Sequence, residues 1–304
     1  MNELILNESD WMHSLMRGER PSDESLREHL LLVHRNNPGF TESCALKCQD
    51  NSGRNSYELL ASLIDPKRNS HILDLACGSG VLLEICRQRC GPKSELTGVD
   101  MSAEELVLAR QRNPDLENNL YEGLAQDLHF IGDDSFDIVL CHWALTLMDQ
   151  VPVVLQEVKR LLKKNGIFAA IVDGDPKTAP GYDEVHKIIY SFVTQRYPSY
   201  SETDLGDPRV RDGVSLERLV RQAFTDAEVK IEPVVFYLDA TPYVLAREVA
   251  GFFYASFVVA PKEHNHMLEQ LERFFVEQGK GNRCRFSLPV NKLVVCLSPV
   301  IDRG

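Results

Sequence analysis

An acidic residue followed by two glycines, near the end of a short apolar run, is the feature of this sequence best suited to chemistry. The run is HILDLACGSG, residues 71–80. Glycine permits positive φ and lets backbone N–H groups approach a ligand without a Cβ in the way. The loop also opens a helix, whose amino end favours negative groups. We therefore predict a ligand-binding loop whose candidate contacts are Asp74, Ala76, Cys77, Gly78 and Gly80.

A second acid, Asp100, lies twenty residues after Gly80 and ends the next strand-like run, ELTGVD. A carboxylate at this position can accept two hydrogen bonds from a ribose diol, and such charge-assisted bonds are the stronger ones. Nicotinamide-binding folds share these features, but their fingerprint needs a third glycine where this chain has Leu83. A pyrophosphate would also gain nothing from Asp74, whereas an ammonium would. S-adenosylmethionine offers an ammonium, a sulfonium, a ribose diol and an adenine, and it is favoured over a nicotinamide coenzyme.

The segments that must position these residues alternate between strand-like and helix-like patterns. We predict parallel strands at 71–76, 95–100, 119–125, 136–145 and 167–174, with helices between them. Ser102 and Glu105 suggest a capping box, and Gly166 suggests a helix stop. A further helix at 215–224 and a strand pair at 229–239 and 283–298 close the pattern. Such alternation predicts an α/β sheet whose ligand crevice lies at the carboxyl ends of the strands.

Composition limits the classes of protein and partner. The chain has 304 residues, 43% of them apolar, and a formal charge of 33 − 45 = −12. That charge disfavours a nucleic-acid partner, and no apolar run is long enough to span a membrane. The eight cysteines fit reduced thiols in apolar segments, and their spacing does not favour a metal site. We expect a cytoplasmic monomer or homodimer that acts on a small molecule.

Four segments together resemble class I S-adenosylmethionine-dependent methyltransferases. LDLACGSG resembles their motif I, GVDMS (98–102) the segment that follows it, GLAQDLHF (123–130) the adenine-contacting stretch, and DDSFDIVLCHWALTLM (133–148) the motif at the fourth strand. The pattern is most similar to the ubiquinone- and menaquinone-biosynthesis group, and it covers about residues 55–175. The family's adenine motif usually has an acid where this chain has Leu124. The resemblance implies a Rossmann-like seven-stranded sheet of order 3-2-1-4-5-7-6 with an antiparallel last strand.

The resemblance also implies roles for individual residues. Asp74 would steer the cofactor ammonium, Asp100 would hold the ribose, and the loop glycines would line the methionine and ribose portions. Tyr57 resembles a position that reaches the cofactor carboxylate. His142 is a candidate general base, although a strand-end structural histidine is the plainer interpretation. The remaining candidates are Met101 packing on the adenine, Ala125, Gln126 and Asp127 around it, and Cys141 beside the methionine portion.

The expected organisation is an N-terminal helical cap at 1–56 and a methyltransferase domain at 57–304, with cap insertions at about 175–214 and 242–279. The expected activity is in-line methyl transfer to a small-molecule acceptor, with oxygen or nitrogen favoured as the acceptor atom. Two alternatives stay open. One is the same fold using the cofactor for chemistry other than methylation, and the other is a non-catalytic scaffold.

Overall fold

One mixed sheet organises the chain. The computed structural model describes residues 9–279 and 283–297. The strands are β1 His71–Leu75, β2 Glu95–Asp100, β3 Leu120–Glu122, β4 Phe136–His142, β5 Leu162–Asp173, β6 Glu228–Ala240 and β7 Cys284–Cys296. The α-helices are α1 Asp10–Met16, α2 Asp23–Asn36, α3 Glu42–Lys47, α4 Ser56–Ala61, α5 Val81–Cys90, α6 Ala103–Arg112, α7 Val151–Leu161, α8 Tyr182–Val193, α9 Gly213–Ala223, α10 Pro242–Ala250 and α11 Pro261–Gln278. Short 3-10 helices lie at Pro114–Asn119, Ala144–Leu147, Pro176–Thr178, Pro198–Glu202, Pro208–Val210 and Tyr254–Val258.

The strand order is β3-β2-β1-β4-β5-β7-β6. The first five strands run parallel, and β7 pairs antiparallel with both β5 and β6. Parallel neighbours need crossover connections, and α5, α6 and α7 supply helices between them. The predicted α/β class, strand order and antiparallel β7 are confirmed.

Two apolar layers cover the faces of the sheet. Side chains alternate along a strand, so on β4 Ile138 and Leu140 join one buried cluster while Val139 and Cys141 join the other. The second layer packs against α7 and α9. The first layer continues into α1–α5, α8, α10 and α11. This asymmetry places most of the additional helices on one face of the sheet.

Two local predictions need correction. The helix expected to continue to Gly166 ends at Leu161 and the chain enters β5 directly, with Asn165 rather than Gly166 at positive φ (65°). The capping box is also incomplete. The Ser102 hydroxyl accepts the Glu105 N–H at 3.3 Å, but the Ser102 N–H donates to Asp100 instead of to Glu105. Glu105 is therefore free to contact other parts of the chain.

The three segments outside the alternation lie within 9–56, 175–214 and 242–279, and we call them the outlying segments. They meet near the carboxyl edge of the parallel strands. Helix α1 packs on α2 and on the turn Pro198–Glu202, and α11 packs on α8 and α10. An isolated β-bridge between Gln49 and Tyr237 joins the N-terminal segment to β6. Residues 1–8 of the expected N-terminal cap, and 280–282 and 298–304 of the expected main domain, lie outside the described residues.

Candidate functional site

A cavity of about 470 Å³ opens at the carboxyl ends of β1, β2, β4 and β5. Its wall combines the loops after these strands with residues from all three outlying segments. Ten of the predicted site residues line it, namely Tyr57, Asp74, Ala76, Cys77, Gly78, Asp100, Met101, Ala125, Gln126 and His142. The sequence candidates thus converge on one cavity.

Three predicted residues are absent from its lining. Cys141 is fully buried on the opposite face of β4 from His142, because neighbouring strand residues point to opposite sides. Asp127 points outward, its side chain 66% exposed and paired with His129 at 2.7 Å. Gly80 begins α5 and faces α6, where Asn113 donates to its carbonyl at 3.0 Å. These three positions therefore do not line the cavity.

Left-handed backbone conformations shape the binding loop. Ala76, Gly78 and Gly80 have φ of 58°, 50° and 77°. A Cβ at Gly80 would lie 2.7 Å from the Asn113 amide nitrogen, so glycine is required there for both space and conformation. Ala76 is a non-glycine residue in a strained region, a feature that clusters at functional sites. No pattern in the sequence predicts this backbone conformation at Ala76.

The leucine that replaces the third glycine is accommodated from the neighbouring strand. Leu83 is completely buried on α5. A Cβ at Gly98 of β2 would lie 2.9 Å from Leu83 Cδ1 and 2.9 Å from Cys77 Sγ. The glycine that permits close packing of helix and sheet is thus on β2 instead of on the helix.

Asp74 and Asp100 form the acidic floor of the cavity. Asp74 is 1% exposed, and neither of its carboxylate oxygens has a hydrogen-bond partner among the described residues. Burial and the nearby Asp100 charge raise the pKa of Asp74 well above its usual range. Asp100 accepts the N–H groups of Gly78 and Ser102, each at 2.8 Å, and burial raises its pKa. An unpaired buried carboxylate is costly, so this floor favours a ligand that brings positive charge or donors.

Two further acids, both missed by the sequence reasoning, hold the N-terminal segment against the binding loop. Glu42 lines the cavity and accepts the Ser79 hydroxyl at 2.5 Å and Arg112 at 2.9 Å. Glu105 lines it beside Gly78 and bonds to His34 and to the Gly39 N–H. Their partners lie more than thirty positions away in the sequence, so local patterns could not reveal them.

Aromatic rings form a continuous wall along the cavity. Successive ring centroids are 3.6 Å apart from Tyr57 to His142, 5.3 Å to Trp143, 5.1 Å to Phe252, 5.8 Å to Phe253 and 5.6 Å to Tyr182. We call these six residues the aromatic wall. It connects the region of the binding loop to the outlying segments.

Beside the aromatic wall, Asp173 links two cavity residues. It accepts the Trp143 indole N–H at 2.8 Å and pairs with Arg211 at 3.3 Å. Trp143 itself has a strained φ of 64°. These contacts fix the indole at the end of β4.

His142 is held by stacking and by one hydrogen bond. Its ring stacks on Tyr57, and its Nε2 lies 2.8 Å from the Ser56 hydroxyl. Burial lowers the pKa of His142 to about 3. The imidazole is therefore neutral at physiological pH and is a weak base.

Comparisons with known proteins address the family directly. A family model described as a methyltransferase domain matches residues 73–170. A demethylmenaquinone methyltransferase of Staphylococcus aureus is 30% identical over 128 residues, which are 42% of this chain and 52% of that protein. Residues 73–170 of the chain are therefore similar to a methyltransferase domain. The chain spans about half the length of the curated relatives that it matches.

Solved structures share the fold of this chain. The [4+2]-cyclase SpnF superposes with a TM-score of 0.53 at 16% identity, covering 92% of this chain and 97% of that one. A Haemonchus contortus phosphoethanolamine N-methyltransferase, solved with S-adenosylhomocysteine, gives a TM-score of 0.50 at 15% identity, covering 92% and 60% of the two chains. The nicotinamide alternative is disfavoured, because residues 73–170 match a methyltransferase domain, for which S-adenosylmethionine is the expected cofactor.

The residues around the cavity fit that cofactor. The unpartnered Asp74 carboxylate suits a cationic group, and Asp100 retains lone pairs for ribose hydroxyls. Gly78 presents no Cβ where the loop meets the cavity. Within the described ranges, no group of three or more His, Cys, Asp or Glu side chains could hold a metal ion, and no helix is long and apolar enough to cross a membrane.

Proposed function

We propose that this protein transfers a methyl group from S-adenosylmethionine to a small, neutral acceptor that carries a planar ring, at an oxygen or nitrogen atom. One observation carries the proposal: a single cavity joins the unpartnered Asp74 carboxylate to the aromatic wall. The acidic floor suits the cofactor, and the wall suits an acceptor ring. The relative from Staphylococcus aureus, whose name indicates a demethylated menaquinone as its substrate, supports a ring-bearing acceptor.

The charges around the cavity argue against an anionic acceptor. Among its described lining residues, two are guanidiniums and seven are carboxylates. Arg27 pairs with Asp149, and Arg211 pairs with Asp173. Since both cations are already neutralised, a carboxylate or phosphate acceptor would lack a counter-charge. The seven acids are Glu42, Asp74, Asp100, Glu105, Asp149, Asp173 and Asp204.

Positioning is the main contribution that this chain makes to the reaction. When bound, the cofactor would supply a methyl group carried on a sulfonium; transfer to the acceptor oxygen or nitrogen breaks the methyl carbon–sulfur bond, leaves a neutral sulfide, and releases the acceptor's proton to water. Orientation alone can supply about 7–11 kcal/mol of the barrier in such a step. The aromatic wall orients an acceptor ring, and Asp173 fixes the Trp143 indole within it.

His142 contributes to positioning in this proposal and does not act as the general base considered from the sequence. With a pKa of about 3, its imidazole would take a proton from a phenol of pKa about 10 only at a cost of about 9–10 kcal/mol. Its stacking on Tyr57 instead holds the start of the aromatic wall beside the binding loop.

We further propose that the three outlying segments act as a cap. Residues from α2 and α3, from 176–211 and from 252–255 complete the cavity wall. A wall of this kind excludes water from the reacting groups and sets the shape of the acceptor space.

An acceptor panel tests the proposed activity. The purified chain is incubated with S-adenosylmethionine and each of three naphthalenes bearing a hydroxyl, an amino or a carboxylate group, and S-adenosylhomocysteine formation is measured. We expect turnover of the hydroxyl or amino compound to exceed that of the carboxylate at least tenfold. Equal or preferred turnover of the carboxylate would contradict the charge argument.

Product analysis separates the alternative chemistries. The cyclase fold neighbour keeps open a use of the cofactor without methylation. Cofactor binding with no S-adenosylhomocysteine formed from any acceptor would favour that alternative, and loss of cofactor binding altogether would favour a scaffold.

A further inference from the structure

Glu105 is a buried carboxylate that the expected cofactor contacts leave unexplained. Its side chain is 3% exposed and lines the cavity. One oxygen, Oε1, accepts the Gly39 N–H at 2.8 Å and lies 2.7 Å from His34 Nδ1. The other oxygen, Oε2, has no hydrogen-bond partner in the described part of the chain. Half of this carboxylate is therefore unsatisfied in the protein alone.

The free oxygen lies against the glycine of the binding loop. Oε2 lies 3.9 Å from the position that a Cβ on residue 78 would occupy, and glycine leaves that position empty. The Gly78 N–H meanwhile donates to Asp100. Glu105 and Asp100 thus flank the same glycine. A buried acceptor left unpaired costs about 1–3 kcal/mol, and more when charged, so a ligand donor in this position would relieve it.

The bonded oxygen of Glu105 connects, through hydrogen bonds, to residues in two of the proposed cap segments. His34 lies on α2, and its Nε2 is 2.7 Å from the hydroxyl of Tyr254. Because a carboxylate oxygen only accepts, Nδ1 carries the proton toward Glu105. Phe40 packs against both His34 and Tyr254, with ring centroids 5.2 Å and 4.9 Å apart. One chain of hydrogen bonds therefore joins α6, α2 and the 3-10 helix Tyr254–Val258.

We propose that Glu105 is a further cofactor-binding residue, and that its bond to His34 couples cofactor binding to ordering of the cap. Oε2 accepts a hydroxyl or ammonium hydrogen of the cofactor, which fixes the carboxylate plane. The fixed carboxylate holds His34, and His34 holds Tyr254 over the cavity. Cofactor binding thereby assembles the wall that receives the acceptor. This inference rests on the proposed use of S-adenosylmethionine.

Calorimetric titration with S-adenosylhomocysteine tests the binding role. Glu105→Gln keeps the side-chain shape and removes the charge, and Glu104→Gln is the matched control on the same helix, where the glutamate pairs with the exposed Arg35. We expect Glu105→Gln to weaken binding at least tenfold and Glu104→Gln to change it less than twofold. Equal affinity of Glu105→Gln and wild type would overturn the assignment. If wild type itself does not bind, the proposed function fails instead.

Hydrogen–deuterium exchange tests the coupling, with a variant that leaves the buried carboxylate intact. Tyr254→Phe removes one hydroxyl and retains the ring packed on Phe40. In wild type we expect S-adenosylhomocysteine to slow amide exchange in 252–256 and in the last turns of α2. In Tyr254→Phe the protection of 252–256 should fall at least threefold while α2 remains protected. Full protection of 252–256 in the variant would show that the hydrogen-bond chain does not carry the coupling.

Discussion

Replacing Asp74 with Asn should change stability and ligand affinity in opposite directions. In the unliganded protein the Asp74 carboxylate is buried without a partner among the described residues. An uncompensated buried charge costs about 3–5 kcal/mol, and an unsatisfied neutral amide costs about 1–3 kcal/mol. The substitution should therefore stabilise the unliganded protein by roughly 1–3 kcal/mol near pH 7.5. With about 2.1 cal/mol/K of unfolding entropy per residue and 304 residues, that is about 2–5 °C in Tm.

The pH dependence of Tm tests independently whether Asp74→Asn stabilises the unliganded protein. Because the pKa of Asp74 is raised in the folded state, its contribution to stability is fully present below the unfolded pKa of about 3.9 and is lost as pH rises toward the folded value. The Tm advantage of Asp74→Asn should therefore be absent near pH 4 and grow toward pH 7.5. Differential scanning calorimetry across this range measures it.

Affinity should move the other way. Loss of a charge-assisted contact worth about 1.5–3 kcal/mol corresponds to a roughly 10- to 150-fold weaker Kd for S-adenosylmethionine. A lower Tm for unliganded Asp74→Asn, or an unchanged Kd, would refute the reasoning that an unpaired carboxylate waits for a cationic ligand.

Asp137 provides a matched control at the opposite end of the same strands. Although its burial alone would raise the pKa, hydrogen bonds from the N–H groups of His71 and Ser70 and the Lys163 ion pair hold the pKa of Asp137 at about 2. The ionised Asp137 carboxylate stabilises the folded protein above about pH 3.9, the unfolded pKa, and this stabilisation is lost as the pH falls through the folded pKa of about 2. Asp137→Asn should lower the Tm at pH 7.5 and leave the cofactor Kd unchanged.

Three other substitutions test separate parts of the site. Gly80→Ala should lower the free energy of unfolding in urea by about 2–5 kcal/mol, from left-handed strain plus overpacking. Gly53→Ala has a similar φ of 79° and no described atom within 4 Å of a Cβ, so it should cost only about 1–2 kcal/mol. Equal losses in the two variants would contradict the packing argument. His142→Phe keeps a ring on Tyr57 and should retain turnover within about tenfold of wild type, whereas His142→Ala should lose more. A loss greater than about tenfold in His142→Phe would indicate that the imidazole exchanges protons. Asp173→Asn should raise the acceptor KM several-fold without changing the cofactor Kd. Asp204→Asn, at an exposed position of the cavity lining, should change neither constant. Weaker cofactor binding by Asp173→Asn would place Asp173 in the cofactor half of the cavity.

The sheet and the binding loop were predictable because their signals are local. The run HILDLACGSG, the acid at Asp100 and the alternation of strands and helices each fall within a few consecutive residues. The resemblance to a family then predicted the strand order, which local patterns cannot specify. The structure confirms that order.

The differences between the expected and the observed placements have identifiable physical causes. Cys141 and His142 are adjacent on a strand and face opposite sides of the sheet, so only His142 lines the cavity. Asp127 is a turn residue whose direction depends on its pairing with His129. Glu42 and Glu105 were missed because their partners come from distant segments, and side chains of this kind are identified only when tertiary contacts are known.

Binding of S-adenosylhomocysteine to wild type and to Asp100→Asn, measured by isothermal titration calorimetry, tests the central claim most directly. Asp100 accepts the Gly78 N–H on one carboxylate oxygen and the Ser102 N–H on the other. Asparagine has nearly the same shape, but its single amide oxygen can keep only one of these two bonds. We predict one site in wild type, at least tenfold weaker binding in Asp100→Asn, and no heat with NADH. Binding of NADH in place of S-adenosylhomocysteine, or equal affinity in the two proteins, would contradict the account.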